Sequence, residues 1–172
     1  KKTLLTLADN HNKPRYAKLK ARQKGALFTT ITGIVAAVAI PAFIKYTRRA
    51  KAIEARINTR RVAMMARMAL GRGALPNGNT GWTPKKPCCK QPKGICAGDA
   101  AWQKGLWKAV RFNPGPRSYF QYRLQVTGKK VSVEARSDFD CDGTYGTYKL
   151  EGKIQGKDQL RTGRLEVKNA GE

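Results

Sequence analysis

The stretch "GIVAAVAIPAFIKYTRRAKAIEA", Gly33 to Ala55, decides the architecture. Its first half is uncharged and crosses a proline; its second half is basic and apolar at helical spacing. Upstream, the uncharged run reaches back to Gly25 and forward to Ile44. A length of about 20 residues matches a membrane-spanning helix. Threonine and glycine within it weaken the span by hydropathy, and a buried soluble helix is the competing reading. Nothing downstream looks large enough to sheathe such a helix. Pro41 removes a backbone N–H, which predicts a bend.

Downstream, Phe43, Tyr46, Ala50, Ile53, Ile57, Met64 and Met68 recur at intervals of three, four or seven. The spacing predicts one apolar stripe on a helix, opposite Lys45, Arg48, Arg49, Arg56 and Arg60. The methionines of that stripe are expected to pack in the core. The helix should end near Leu70, because "GRGALPNGNTG", Gly71 to Gly81, concentrates glycine, proline and asparagine.

A cysteine-bearing loop follows, then a helical turn, "DAAWQKGLWKAV", with Trp102 and Leu106 on one face. Four segments then alternate apolar and polar residues between glycine-containing turns: "SYFQYRLQVT", "KKVSVEARSDF", "GTYKLEGKIQ" and "GRLEVKN". They predict four antiparallel strands. The expected fold class is α+β, a long N-terminal helix packed on a small antiparallel sheet. Residues 1–24 form a basic arm. Residues 25–70 form the helix, with an apolar anchor at 26–44 and an amphipathic stem at 45–70. Residues 71–172 form a globular head.

The net charge of +24 is unevenly spread. Residues 1–98 hold 21 Lys and Arg against two acids, Asp9 and Glu54, whereas residues 99–172 hold 14 against nine. Such asymmetry points to an anionic partner: nucleic acid, lipid headgroups or polysaccharide. The competing reading is that basic residues merely flank a membrane segment and solubilise a helix. Charge on the two flanks of the apolar run is too similar to set its orientation.

All four cysteines, Cys88, Cys89, Cys96 and Cys141, follow the apolar run. An even number in a loop-rich region suits two disulfides and an oxidising compartment, and so a head that faces outward. Adjacent cysteines seldom bond each other, because a vicinal bridge strains the intervening peptide. One of Cys88 and Cys89 is therefore expected to pair with Cys96 and the other with Cys141. Zinc is disfavoured: there is no C-x-x-C clamp and no histidine nearby.

"SDFDCDGTYG" sets Asp138, Asp140 and Asp142 at alternate positions before Gly143. In a loop, this pattern wraps hard oxygen ligands around Ca2+, with the Thr144 carbonyl as a further ligand. A helix-loop-helix calcium site needs an acid at its twelfth position, where Lys149 stands, and Glu151 is the nearest substitute. The competing reading is a hairpin turn whose aspartates cap backbone amides.

Taken in order, "GIVAAVAIPAFIKYTRRAKAIEARIN", "CCKQPKGICAGDAAWQKGLWKAVRF", "YFQYRL", "DFDCDGTYGTYKLEG" and "LEVKN" resemble a type IV pilin or pseudopilin, in particular a pilin-like group of delta-proteobacterial lineages. The resemblance runs from about residue 31 onward. It implies that Phe28, Ile34, Val35, Val38, Ile40, Pro41, Phe43 and Ile44 belong to an assembly helix. Such a helix first holds the subunit in the inner membrane and then packs against sister helices in a helical homo-oligomeric filament. Lys24-Gly25 is similar to the end of the family's leader. Thr30 or Thr32 stands where the family has a glutamate, and no acid lies between Asp9 and Glu54. With the arm in place, cleavage after Gly25 is not expected. The chain then reads as a divergent pilin assembling without that ion pair, or as a pilin-derived protein that stays anchored.

Enzyme is the least expected class. The sole histidine, His11, lies in the arm, which leaves no Ser/His/Asp or Cys/His triad, and neither a phosphate-binding nor a dinucleotide-binding loop is present. The leading expectation is a structural filament subunit of the cell envelope with no small-molecule substrate. The alternative is a non-polymerising, membrane-anchored module that grips DNA or another polyanion through Arg48, Arg49, Arg60 and Arg61. Tyr119, Phe120 and Tyr122 would then be candidates for base stacking, although strand alternation between core and surface is the plainer reading.

Overall fold

The computed structural model describes residues 15–96, 98, 100–156 and 158–171, with side chains from residue 37 onward. Helix α1 spans Arg15–Gly71, and its helical backbone continues through Pro41. The chain divides into two compact units, residues 1–44 and 45–172.

In the first unit, Val38, Ile40, Pro41, Phe43 and Ile44 are exposed. Phe28, Ile34 and Val35, expected to act with them, lie outside the residues whose side chains are described, as does His11. Among the described residues, no helix is long and apolar enough to cross a membrane. Of the uncharged run read as an anchor, only residues 37–44 are described with their side chains.

The second unit is α+β. Its six-stranded antiparallel sheet has the order β1-β2-β3-β4-β5, where β1 is Gly78–Asn79, β2 Gln121–Thr127, β3 Lys130–Ser137, β4 Gly146–Gln155 and β5 Gln159–Thr162. A sixth strand, β6, Glu166–Lys168, pairs with the first part of β4, while β5 pairs with its last part. Four strands were expected; β1 and β5 are the additions. At Gly152 on β4, a Cβ would sit 2.9 Å from Leu160 and 3.1 Å from the Arg161 carbonyl, so glycine permits the close approach of β5. Helix α2, Gly105–Val110, closes one end with buried Leu106, Trp107 and Val110.

Helix α1 ends where glycine allows it. Gly73 adopts φ +66°, its N–H donates to Leu70 O at 2.8 Å, and Ala74 N–H donates to Ala69 O at 2.8 Å. Together these bonds satisfy carbonyls that the last turn would leave open.

The packing of α1 corrects the sequence reading. Ala52, Ala55, Thr59, Val62, Ala66 and Ala69, spaced alternately by three and four, are buried; the apolar members share one core with Tyr122, Leu124, Val133 and Tyr148. Residues so spaced lie along one side of a helix. The stripe expected to be core is outside instead: Ile53, Ile57, Met64 and Met68 are 55, 59, 57 and 55% exposed. The reason is steric. Alanine adds little to a hydropathic pattern but lets the helix backbone come close to the sheet, whereas isoleucine and methionine would hold it away.

Glu54 locks this contact. Its carboxylate accepts from Ser118 Oγ at 2.7 Å, from Tyr122 OH at 3.0 Å and from Tyr119 N–H at 3.1 Å. Asn58 Nδ2 donates to the same Tyr122 hydroxyl at 3.0 Å. Burial, then the Glu54 charge, pushes the Tyr122 phenol well above its ordinary range. Around Tyr122, Trp102, Trp107 and Phe112 pack edge-on or tilted, with centroids 4.9–6.3 Å apart.

Candidate functional site

The loop between β3 and β4 gathers the three aspartates. Their carboxylate oxygens lie within 4.8 Å of one another. Asp138 is only 7% exposed. Its Oδ2 accepts from Gly143 N–H at 3.0 Å, and its buried Oδ1 has no hydrogen-bond partner among the described residues. Asp142 Oδ1 accepts from Thr144 N–H at 2.6 Å, so Thr144 enters the loop through its amide. Arg48 Nη2 donates to Asp140 Oδ2 at 2.9 Å, and Arg48 Nη1 donates to Gly171 O at 3.0 Å. That guanidinium hydrogen bond holds the Asp140 carboxyl below the usual carboxylate range.

Both features of the loop's backbone are local. Cys141 has φ +64° and Gly143 φ +92°, which curl the chain tightly enough to bring alternate carboxylates together. Cys141 is bonded to Cys89, and Cys88 to Cys96, one of the two assignments that the sequence left open. The first bridge staples the centre of the aspartate loop to the cysteine loop.

This donor set fits a hard divalent cation. It offers oxygen only, Arg48 pairs with Asp140 alone of the three carboxylates among the described residues, and a buried carboxylate oxygen without a donor is costly unless something positive meets it.

A second constellation, not anticipated from the sequence, occupies the outer face of the sheet. The register sets Gln121, Arg136, Thr147 and Lys168 in one row, and Arg123, Glu134, Lys149 and Glu166 in the next. The second row alternates in sign, with Arg123 paired to Glu134. The first carries cations only. Arg136 Nε donates to Gln121 Oε1 at 2.9 Å, and its guanidinium lies 4.1 Å from the Trp82 ring centre and 4.3 Å from that of Tyr145. Arg123 stacks on Trp82 as well, at 4.5 Å. Partial burial, reinforced by the Arg123 charge and opposed by Tyr145, pulls the Arg136 pKa down. The legible signal was strand alternation, which sends Arg123 and Arg136 outward; their meeting over a distant tryptophan was not legible.

The residues expected to bind a polyanion separate. Arg48 is engaged with Asp140, whereas Arg49, Arg60 and Arg61 are exposed on α1. Phe120 and Tyr122 are fully buried and belong to the core, and only Tyr119 of that trio is partly accessible.

Comparison with known protein families, with curated proteins and with solved structures found no match.

Proposed function

We propose that the chain is a structural subunit of a type IV pilus-like or pseudopilus filament, assembled through helix α1. The observation that carries the reading is the bulky apolar stripe that α1 exposes within the second unit: Tyr46, Ile53, Ile57, Met64 and Met68, each more than half exposed. Clustered exposed apolar side chains mark interaction surfaces. The resemblance of the stretch from Gly33 to Asn58 to a pilin assembly helix names the occupant as a sister copy. The two disulfides suit a head outside the inner membrane or on an extracellular filament. Negative-stain microscopy of native material tests this. Thin helical fibres are expected, and Ile57→Glu with Met64→Glu should abolish them without unfolding the head. Monodisperse monomers in detergent under all conditions would overturn the proposal.

Within that subunit, the loop of Asp138, Asp140 and Asp142 is assigned to Ca2+. The specific support is the buried Asp138 Oδ1, which has no hydrogen-bond partner among the described residues. A ligand that binds only the folded state raises its stability. Melting in Ca2+ is therefore expected above melting in chelator, with the difference removed by Asp138→Asn. Equal melting in both conditions would dismiss the ion.

A further inference from the structure

The outer sheet face carries a cation that the described residues leave without an acid. Arg136 is tied through Nε to Gln121 and through its flat face to Trp82 and Tyr145. Among the described residues, its two Nη groups have no acceptor. In the next row the same sheet neutralises an arginine at once, pairing Arg123 with Glu134. Row by row, then, the fold compensates one guanidinium and leaves its neighbour open.

That open guanidinium is also prearranged. A planar fork clamped against aromatic rings has already lost the rotamer freedom that a solvated arginine gives up on binding. Exposed Lys168 completes the row, and exposed Lys85 and Lys86 follow Pro84, whose carbonyl accepts from Gln121 Nε2 at 2.6 Å. Trp82 and Tyr145 are only partly covered, which leaves ring surface beside the fork.

We propose that Arg136, with Arg123, Trp82 and Tyr145, forms a binding site for the backbone of single-stranded nucleic acid. The fork takes two oxygens of a phosphodiester, the geometry in which guanidinium–oxyanion bonds are strongest. The exposed ring surface then meets the adjacent base, which an unpaired strand presents and a duplex hides. A densely charged polymer also gains most from a protein of net charge +24, through counterion release. The site stands on the head alone and does not depend on filament assembly.

The test is fluorescence anisotropy of a labelled oligothymidylate titrated with the full chain dispersed in detergent, at several salt concentrations. R136Q is expected to weaken binding by about tenfold or more. R72Q, which removes one exposed charge elsewhere, should weaken it by about twofold or less. A second readout needs no change at Arg136. Trp102 and Trp107 are buried and Trp82 is partly exposed, so saturation with oligonucleotide should alter tryptophan emission, and W82F should remove the change. Equal losses in R136Q and R72Q, or an emission change that survives W82F, would overturn the site. Heparin binding that depends on Arg136 while oligonucleotide binding does not would overturn the nucleic-acid assignment. Because dispersed subunits are measured, a failure to form fibres leaves the result readable.

Discussion

Within residues 45–71, the two sides of α1 differ less in polarity than in side-chain size. The packed side presents Ala52, Ala55, Val62, Ala63, Ala66 and Ala69; the open side presents Ile53, Ile57, Met64 and Met68. Hydropathy alone would bury the second set. The fold buries the first, because small side chains bring the helix close enough for Glu54 to reach the start of β2 and for Asn58 to reach the Tyr122 hydroxyl. The helix thus has two apolar sides, one shaped for its own sheet and one bulky and exposed, and the filament proposal gives the second to a sister copy.

The most forceful way to break this comparison is to add volume on the packed side. Ala66 is fully buried, and Ala66→Leu should cost about 1–3 kcal/mol through overpacking. Ile57→Ala on the open side should stay within about 0.5 kcal/mol. Denaturant unfolding checks both, with the midpoint moving at constant slope. If the two substitutions cost the same, size is not what distinguishes the sides.

A smaller change sharpens the role of the polar lock. Glu54→Gln keeps the shape and one acceptor but removes the charge that three donors share. Bonds to charged groups exceed neutral ones by about 1 kcal/mol, and a loss of that size is expected. The Tyr122 phenol should also titrate lower than in the parent protein, since the Glu54 charge is the second cause of its raised pKa, after burial. Ultraviolet absorbance during alkaline titration reads that shift, and an unmoved tyrosine would place the raised pKa in burial alone.

The α+β class and three of the four alternating segments were legible because period-two burial survives in the side chains of β2, β3 and β4; the fourth, β6, keeps only half-buried Val167 between exposed Glu166 and Lys168. Strand β1 is two residues, Gly78 and Asn79, and β5 buries only Leu160, so neither carries a period to read. Which side of α1 faces inward was misread, since alanines are faint beside isoleucine and methionine in any hydropathic pattern. The aspartate loop was legible as spacing along the chain. Its tie to Arg48 joins residues 92 positions apart, and the Arg136 cluster depends on Trp82 arriving from the loop after β1, which local pattern does not encode.

The smallest effect lies where the packed side of α1 runs out. Arg48 precedes Ala52 and Ala55 on the same line of the helix, and there packing gives way to an ion pair with Asp140. The hydrogen bond from Arg48 depresses the Asp140 pKa, so the folded state holds this proton less tightly than the unfolded chain does. The stabilisation is therefore complete above the unfolded carboxylate pKa and fades as pH falls through the lower, folded value. An Arg48→Gln protein should melt slightly below the parent at neutral pH, and the two should converge in strong acid. Asp140 is exposed, so the gap will be small and will shrink with salt. A gap that persists at acid pH would mean that Arg48 acts through something other than Asp140, such as its bond to the Gly171 carbonyl, which does not titrate.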